Sequence, residues 1–236
     1  MTHSLLKRVT NKIRNKKVEL RIKKQATKRA GVQFVGSSYG GFNVIPSCLQ
    51  KNSIVYSFGI GEDISFDLGI LDLTPCTVFA FDPTPKSIEF LKNIELPDKF
   101  IFTPCAVASK DGALPFNLPL NPNHVSGSLV DASHLEEKAL LVPAKTIKSI
   151  MESFGHKHID LIKMDIEGSE FEVIENMLQD VGSCFSQLCV EVHHWFFPDG
   201  EERLNKMIAL LKKAGYEIFS VTKDAREMSF IRTNDK

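Results

Sequence analysis

The chain has 236 residues, of which 43% are hydrophobic and 25% are charged, a composition typical of a globular protein with one sizeable core. No apolar run reaches the length of a membrane span, and the first residues lack the apolar core of a signal peptide. The five cysteines form no C-x-x-C pair. We therefore expect reduced thiols and a cytoplasmic location, without secretion or membrane insertion.

The formal net charge of zero hides an uneven distribution of charge. Residues 1–30 hold eleven Lys and Arg against one acid, Glu19, whereas residues 31–236 hold 18 basic and 28 acidic side chains. We therefore expect a basic amino-terminal arm at 1–30 and an acidic domain at 31–236. Apolar residues recur in the arm at partly helical spacing. Such an arm could lie on the inner face of an anionic membrane, bind nucleic acid, pack against the acidic domain or remain a solvated extension.

The apolar pattern after residue 53 predicts a buried strand at 54–58, an amphipathic helix and a second strand at 77–81. Gly59 and Gly61 follow the first strand, and Asp82 ends the second. Such a unit builds a parallel sheet whose ligands lie at the carboxyl ends of the strands. Glycines let the backbone approach a ligand closely, and a carboxylate at the next strand end can accept hydrogen bonds from ribose hydroxyls. The pattern therefore indicates a nucleoside-containing ligand.

Two acids, Glu62 and Asp63, stand beside this glycine turn, and Ile64 occupies the place of the third glycine of a dinucleotide fingerprint. Acids would repel a pyrophosphate but attract a cationic ligand. S-adenosylmethionine fits both features, because its sulfonium and ammonium groups are cationic and its ribose can bind Asp82. The alternative is an ordinary glycine turn, with two acids that stabilise the start of a helix.

The segments on either side of this unit offer further contacts. Residues 31–50 are rich in glycine and predict a loop or lid, in which Tyr39 and Phe42 would be aromatic contacts to the ligand. A third strand, predicted at 100–104, would bring the backbone of Ala106 next to an adenine ring. The alternative is that both features serve packing alone.

The polar run at 121–134 shows no periodicity and predicts a long loop over the strand ends, where an acceptor must enter. Its candidate acceptor contacts are His124, Ser126 and Ser128. The alternative for the histidine is a merely solvated side chain.

The second half of the chain places acids and histidines after two more predicted strands, at 159–164 and 187–192. Because parallel strands end at one edge of a sheet, we expect these side chains to converge. They are Asp165, Glu167, Glu191, His193 and His194. The alternative is that Glu167 and Glu170 stabilise the start of a helix and that the histidines are polar loop residues.

Several motifs together resemble one protein family. They are VYSFGIGEDISFD (55–67), FAFDPTP (79–85), AVASKDG (106–112), SGSL (126–129), KTIKSIM (145–151), IDLIKMDIEGSEFEVIENM (159–177) and VEVHH (190–194). The chain resembles the FkbM-type S-adenosylmethionine-dependent methyltransferases of the class I, Rossmann-like kind. This resemblance implies an α/β fold with a mostly parallel seven-stranded sheet, an antiparallel last strand and helices on both faces. The basic arm lies outside the family pattern.

The resemblance also implies transfer of a methyl group to a hydroxyl, most often on a sugar or a sugar-like acceptor. By motif, Gly59, Gly61 and Glu62 would hold the methionine part of the cofactor, and Asp82 would hold the ribose. The same motifs extend the expected cofactor site to Ser57, Pro83, Ala106 and Asp165.

Methyl transfer from a sulfonium is an in-line displacement, for which the protein supplies alignment and a base for the hydroxyl proton. The catalytic candidates are Asp165, Glu191 and His193. In one arrangement these three residues hold Mg²⁺ or Mn²⁺, which orients the acceptor oxygens. In the metal-free arrangement His193 or His194 is the base, because neutral imidazole is available near pH 7.

Three other functions are compatible with parts of the sequence. A methyltransferase of RNA or protein could be guided by the basic arm, although DIEG at 165–168 is not the N-P-P-Y type of motif associated with base methylation. A non-catalytic module could keep the nucleoside pocket as a scaffold, but the acids at both strand ends argue against such decay. A nicotinamide oxidoreductase is the weakest alternative.

Overall fold

Alternating strands and helices make up most of the chain in the computed structural model, which describes residues 16, 18–121, 127–130 and 135–233, with no side-chain description for 135–138. The strands are β1 (Gln33–Val35), β2 (Phe42–Val44), β3 (Ile54–Phe58), β4 (Thr77–Phe81), β5 (Phe100–Thr103), β6 (Ala106–Val107), β7 (Gly112–Pro119), β8 (Leu135–Lys145), β9 (Ile159–Met164), β10 (Phe185–Glu191), β11 (Tyr216–Val221) and β12 (Glu227–Arg232). Residues 18–23 are helical, and the helices that follow are α1 (Ser65–Leu73), α2 (Pro85–Lys92), α3 (Ile147–Phe154), α4 (Glu170–Asp180) and α5 (Gly200–Lys213).

The central sheet has seven strands in the order β11-β12-β10-β9-β3-β4-β5. Strands β10, β9, β3, β4 and β5 are parallel, whereas β12 runs antiparallel between β10 and β11. Phe58 pairs with both Phe81 and Met164, so β3, β4 and β9 end level with one another. The predicted α/β fold, with a mostly parallel seven-stranded sheet and an antiparallel last strand, is confirmed.

Both faces of this sheet are buried, because alternate residues of each strand point to opposite sides. Val55 belongs to a core that includes Phe66 and Ile70 of α1, whereas its neighbour Tyr56 belongs to a core that includes Ile150 of α3. Fully burying a side chain of this size contributes about 1.5–3 kcal/mol. These two apolar layers hold the strands in register and so fix the position of their carboxyl ends.

A smaller sheet, in the order β6-β8-β7, lies after the third parallel strand. Strand β7 pairs with β8 in antiparallel register, and β6 pairs with β8 in parallel. The apolar pattern of the sequence predicts a short strand at 142–147, which matches only the end of β8. In the predicted loop at 121–134, Ser128 pairs with Asn117 of β7 through two backbone hydrogen bonds. The other candidate contacts in this loop, His124 and Ser126, lie outside the described residues.

The predicted loop or lid at 31–50 contains the hairpin of β1 and β2. Phe42 is buried and packs edge-on against Phe66 at 5.8 Å between ring centroids, so it belongs to the core and not to a ligand site. Tyr39, between the two strands, is 83% exposed. Phe42 and Val44 are both buried, so β2 is anchored in the core. The sequence prediction of aromatic contacts is therefore wrong for Phe42.

The described part of the basic arm lies against the acidic domain. Val18 and Ile22 are buried in the main core. Arg21 forms an ion pair with Glu201, and Arg29 forms one with Glu217 at 2.7 Å. For these residues the structure supports the expectation that the arm packs against the acidic domain, while the boundary at residue 30 stays a prediction.

Two further expectations concern the whole chain. The cysteines, all of which lie in described segments, form no disulfide, and four of the five are buried. Within the described residues, no helix combines the length and the apolar character needed to cross a bilayer.

Candidate active site

The glycine turn after β3 lies directly against the end of β9. Gly59 has a φ of 75°, and a Cβ atom at this position would stand 1.7 Å from the carbonyl oxygen of Asp165. Any larger residue would therefore collide with backbone that cannot move away. Gly61 also has a positive φ, of 55°. The two glycines let the turn pass close to the neighbouring strand and keep its backbone open to the space above the sheet.

Asp82 holds this turn in place. Its Oδ2 accepts the backbone N–H of Gly61 at 2.9 Å, and its Oδ1 accepts the N–H and the hydroxyl of Thr84 at 2.8 and 2.7 Å. A carboxylate offers about four acceptor positions, so these three bonds leave capacity for a ligand hydroxyl. The side chain is thus ordered before any ligand binds, and its role towards ribose remains a prediction.

The two acids of the turn differ in their surroundings. Asp63 accepts the N–H of Ser65 at the start of α1 and the hydroxyl of Ser37 from the β1–β2 hairpin. It therefore stabilises the helix start, as in the alternative interpretation, and also ties the hairpin to the turn. Glu62 is exposed and lines the cavity described next.

A cavity of about 280 Å³ opens above the carboxyl ends of β3, β4 and β9. Of the predicted cofactor residues, it is lined by Gly59, Gly61, Glu62, Asp82, Pro83, Ala106 and Asp165. Ser57 does not line it, because this side chain is fully buried beneath the turn and faces Asp67. Tyr39 lines the cavity from the hairpin and Glu167 from the turn before α4. The structure thus brings most of the predicted cofactor residues together around one space.

Sequence reasoning missed a buried pair beneath the glycine turn. Lys163 of β9 is 4% exposed, and its ammonium donates a hydrogen bond to the carbonyl of Gly59. Asp67 of α1 is 1% exposed; burial raises its pKa from 3.8 to about 6, although the charge of Lys163 opposes the rise. A lysine inside an otherwise apolar strand was the available signal, since a fully buried lysine needs a partner.

The predicted acids and His193 converge at the ends of β9 and β10. The Nε2 atom of His193 lies 3.2 Å from Glu167 Oε2, 3.8 Å from Asp165 Oδ1 and 3.9 Å from Glu191 Oε1. Asp165, Glu167 and His193 form the tightest group, with one ligand atom of each residue within 4.8 Å of the others. Glu191, one of the three predicted metal ligands, lies farther from His193 Nε2 than Glu167 does, and its role stays a prediction.

The protonation state of His193 differs from the expected neutral imidazole. Burial alone would lower the pKa of His193, but the neighbouring Glu170 and the charges of Asp165 and Glu167 raise it to about 9. The side chain therefore carries a proton near neutral pH, and a role as the free base is not supported. Burial also raises the pKa of Glu191, to about 8, and the charge of Asp165 adds to this effect.

His194 lies apart from this group. It begins a short 3₁₀ turn, His194–Phe196, and is absent from the described lining of the cavity. Burial lowers the pKa of His194, and the charge of Arg226 lowers it further. Among the two predicted histidines, only His193 faces the carboxylates.

Glu170, at the first residue of α4, has a role that the sequence did not reveal. It is fully buried and accepts the backbone N–H of Gly168 at 2.8 Å and that of His193 at 2.6 Å. Its Oε1 also lies 3.4 Å from His193 Nδ1. This carboxylate therefore connects the turn after β9 with the end of β10 and fixes the position of His193.

The sheet order and the antiparallel last strand are those of the Rossmann-like fold of class I methyltransferases. The model of the methyltransferase FkbM domain matches residues 53–218. The chain therefore belongs to the FkbM methyltransferase family.

The chain is also similar to curated and solved relatives. It is 28% identical over 157 residues to the probable methyltransferase-like protein 24 of Homo sapiens, and this alignment covers 65% of the chain and 36% of the relative. It is 27% identical over 193 residues to the Rattus norvegicus protein of the same description, and this alignment covers 78% of the chain and 47% of the relative. The chain thus spans less than half the length of either protein. The crystal structure of methyltransferase FkbM from Methylobacillus flagellatus KT aligns with a TM-score of 0.48 at 12% identity, over 78% of this chain and 44% of the other.

Proposed function

We propose that the protein is an S-adenosylmethionine-dependent methyltransferase that acts on a hydroxyl of a sugar, a glycan or a sugar-like small molecule. The observation that carries this proposal is the group of three acidic side chains around His193, which are Asp165, Glu167 and Glu191. Asp165 and Glu167 of this group line the cavity. It would face the acceptor, while the glycine turn would face the cofactor.

The cofactor half of the proposal rests on the charges around the turn. Glu62 and Asp63 line the cavity beside Gly59 and Gly61 and would attract the ammonium and sulfonium groups. Asp82, at the neighbouring strand end, would accept hydrogen bonds from the ribose hydroxyls. Ala106 lines the cavity from β6, where its backbone would meet the adenine ring.

The acceptor half rests on the chemistry of the carboxylates. Ionised carboxylates accept several hydrogen bonds, which suits an acceptor with neighbouring hydroxyls. They would repel the phosphates of a nucleic acid at close range. Two exposed aromatic side chains, Tyr39 in the cavity wall and Trp195 beside His193, offer apolar faces to a sugar ring. These features favour a sugar-like acceptor over RNA.

In the proposed reaction the acceptor oxygen attacks the methyl carbon as the carbon–sulfur bond breaks, and S-adenosylhomocysteine leaves. The hydroxyl proton passes to a base at the strand ends. Of the three catalytic candidates, Asp165 lines the cavity and would be this base. The raised pKa values of Glu191 and His193 keep both protonated near neutral pH, so His193 would act by positioning the carboxylate of Asp165. A bound divalent cation would be the alternative means of activating the hydroxyl.

A cytoplasmic location is part of the same proposal, as is contact of residues 1–30 with an anionic membrane surface or nucleic acid. The ion pairs of Arg21 and Arg29 with the domain occupy two of the arm's charges. The remaining basic residues would have to supply such contacts.

The test is transfer of a labelled methyl group from S-adenosylmethionine to a panel of saccharides, with RNA and protein as competing acceptors. We expect saccharides to be labelled. His193→Ala should lower turnover far more than affinity for S-adenosylhomocysteine, whereas His194→Ala, its neighbour outside the group of acids, should change neither. Labelling of RNA or protein alone would overturn the acceptor class, and equal effects of the two histidine variants would remove His193 from the mechanism.

A further inference from the structure

We propose that Asp165, Glu167 and His193 form a binding site for one divalent cation, of the Mn²⁺ or Mg²⁺ type, at the edge of the cavity. The site itself is inferred from the geometry of these side chains. Its role in catalysis, the orientation of two acceptor oxygens, rests on the proposed function.

The distances between the ligand atoms fit a single ion. Donors about 2.1 Å from an octahedral ion lie about 3 Å apart when adjacent and about 4.2 Å apart when opposite. The Nε2 atom of His193 lies 3.2 Å from Glu167 Oε2 and 3.8 Å from Asp165 Oδ1. Small movements of two partly exposed carboxylates would bring all three atoms to binding distance. The cation would replace the proton on Nε2, because an imidazole binds a metal only in its deprotonated form.

His193 has the environment of a metal ligand, which a simple group of surface acids lacks. Its side chain is 5% exposed, and its Nδ1 makes no hydrogen bond of good geometry. With Nε2 directed at the carboxylates, Nδ1 faces Oε1 of the buried Glu170 at 3.4 Å. A histidine that binds a metal through one ring nitrogen usually directs the other to a carboxylate, which orients the ring. Glu170 is itself held by two backbone N–H groups.

The ligands come from elements whose relative positions are fixed. Asp165 directly follows β9 and His193 lies two residues after β10, and the parallel pairing of Met164 with Val190 sets the distance between these strand ends. Besides Nδ1 of His193, the group contains a second buried atom without a hydrogen-bond partner, which is Oδ1 of Asp165. A cation would satisfy this oxygen and neutralise the repulsion between the carboxylates.

The donor set indicates which ion would bind. Two carboxylates favour hard cations such as Mg²⁺ and Mn²⁺, and the single imidazole favours Mn²⁺ between these two. Asp165 and Glu167 also line the cavity, so the open coordination positions would face the space assigned to the acceptor. There the ion would hold two neighbouring oxygens and lower the pKa of the reacting hydroxyl.

The experiment measures binding of Mn²⁺ to the purified chain by the loss of the electron paramagnetic resonance signal of the free ion. We expect saturable binding of one ion per chain. Glu167→Gln and His193→Gln should each weaken it by about tenfold or more, as expected for loss of a ligand. Glu62→Gln, which removes an exposed acid from the same cavity, should leave the affinity within about twofold of the wild type.

Thermal unfolding checks that each variant is folded, because Glu62 belongs to the proposed cofactor site. A parallel titration of the wild type with S-adenosylhomocysteine separates this inference from the proposed function. Absence of saturable Mn²⁺ binding by a chain that binds S-adenosylhomocysteine would overturn the cation site alone. An equal loss of Mn²⁺ affinity in Glu62→Gln and Glu167→Gln would also overturn it, because the ion would then sense only the general negative charge. Saturable Mn²⁺ binding without S-adenosylhomocysteine binding would support the site and contradict the cofactor assignment.

Discussion

Glu170 accepts the backbone N–H of His193 at 2.6 Å, which joins the start of α4 to the end of β10. The same carboxylate accepts the N–H of Gly168 at 2.8 Å, in the turn that follows β9. One fully buried side chain therefore holds both segments that carry the acidic group. A buried contact between elements of the core therefore fixes the position of the candidate site.

Replacing Glu170 by Gln should destabilise the protein, because the new amide places an N–H group against one of two backbone donors. We expect the free energy of unfolding to fall by about 2 kcal/mol, the cost of a buried unsatisfied group. Urea denaturation measures the change. Glu172→Gln, an exposed acid in the same turn of α4, is the matched control and should have almost no effect. Similar losses in both variants would contradict the bridging role of Glu170.

The close approach of the glycine turn to β9 predicts different outcomes for two glycines of similar conformation. Gly59 and Gly155 have φ values of 75° and 71°, but only the added Cβ at Gly59 would collide with backbone, whereas at Gly155 no described atom lies within 4 Å. Gly155→Ala should cost about 1 kcal/mol, the strain of a left-handed residue. Gly59→Ala should cost roughly 4 kcal/mol or more. Equal losses of unfolding free energy would show that strain alone, without the contact, decides the result.

Asp67 predicts a specific dependence of stability on pH. Because burial raises its pKa from 3.8 to about 6, the native protein binds this proton more tightly than the unfolded chain does. The contribution to stability is therefore complete below the unfolded pKa and is lost as the pH rises through about 6, a change of about 3 kcal/mol. The Asp67→Asn variant has no ionisable group at this position, so it does not lose this contribution to stability as the pH rises. Its free energy of unfolding should rise relative to that of the wild type by about 3 kcal/mol between about pH 4 and about pH 7.

The control for this measurement is Asp72→Asn, which changes an exposed carboxylate of the same helix. Its difference from the wild type should stay constant over the same pH range. A constant difference for Asp67→Asn as well would contradict a raised pKa at Asp67.

The central strands were predictable because their residues are apolar, β-branched or aromatic and are bounded by turn residues. The bounds predicted for 54–58, 77–81 and 159–164 agree with β3, β4 and β9. Strand β8 was predicted too short, since its first residues include acids and a lysine and it pairs only within the small sheet. Local pattern describes a strand best where both faces of the sheet are buried.

The site was predictable only in part. The glycine turn and Asp82 have local signals, and they do line one cavity. The bond from Lys163 to the carbonyl of Gly59 joins residues 104 positions apart, and the bond from His193 to Glu170 spans 23 positions. No local pattern contains such contacts, because the pairing of parallel strands creates them. The same pairing places Glu167 closer to His193 than Glu191 lies.

The most direct test of the account is a calorimetric titration of the chain with S-adenosylhomocysteine and with its analogue that lacks both ribose hydroxyls. The wild type should bind the first ligand and lose about tenfold to a hundredfold in affinity for the second, the contribution of hydrogen bonds to a charged group. Asp82→Asn should bind the two ligands with nearly equal, low affinity. Thermal unfolding measures the stability that this variant loses because its amide N–H group faces the backbone donor of Gly61 or Thr84. Failure of the wild type to bind S-adenosylhomocysteine, or the same preference for the ribose hydroxyls in Asp82→Asn, would contradict the assignment of this cavity to the cofactor.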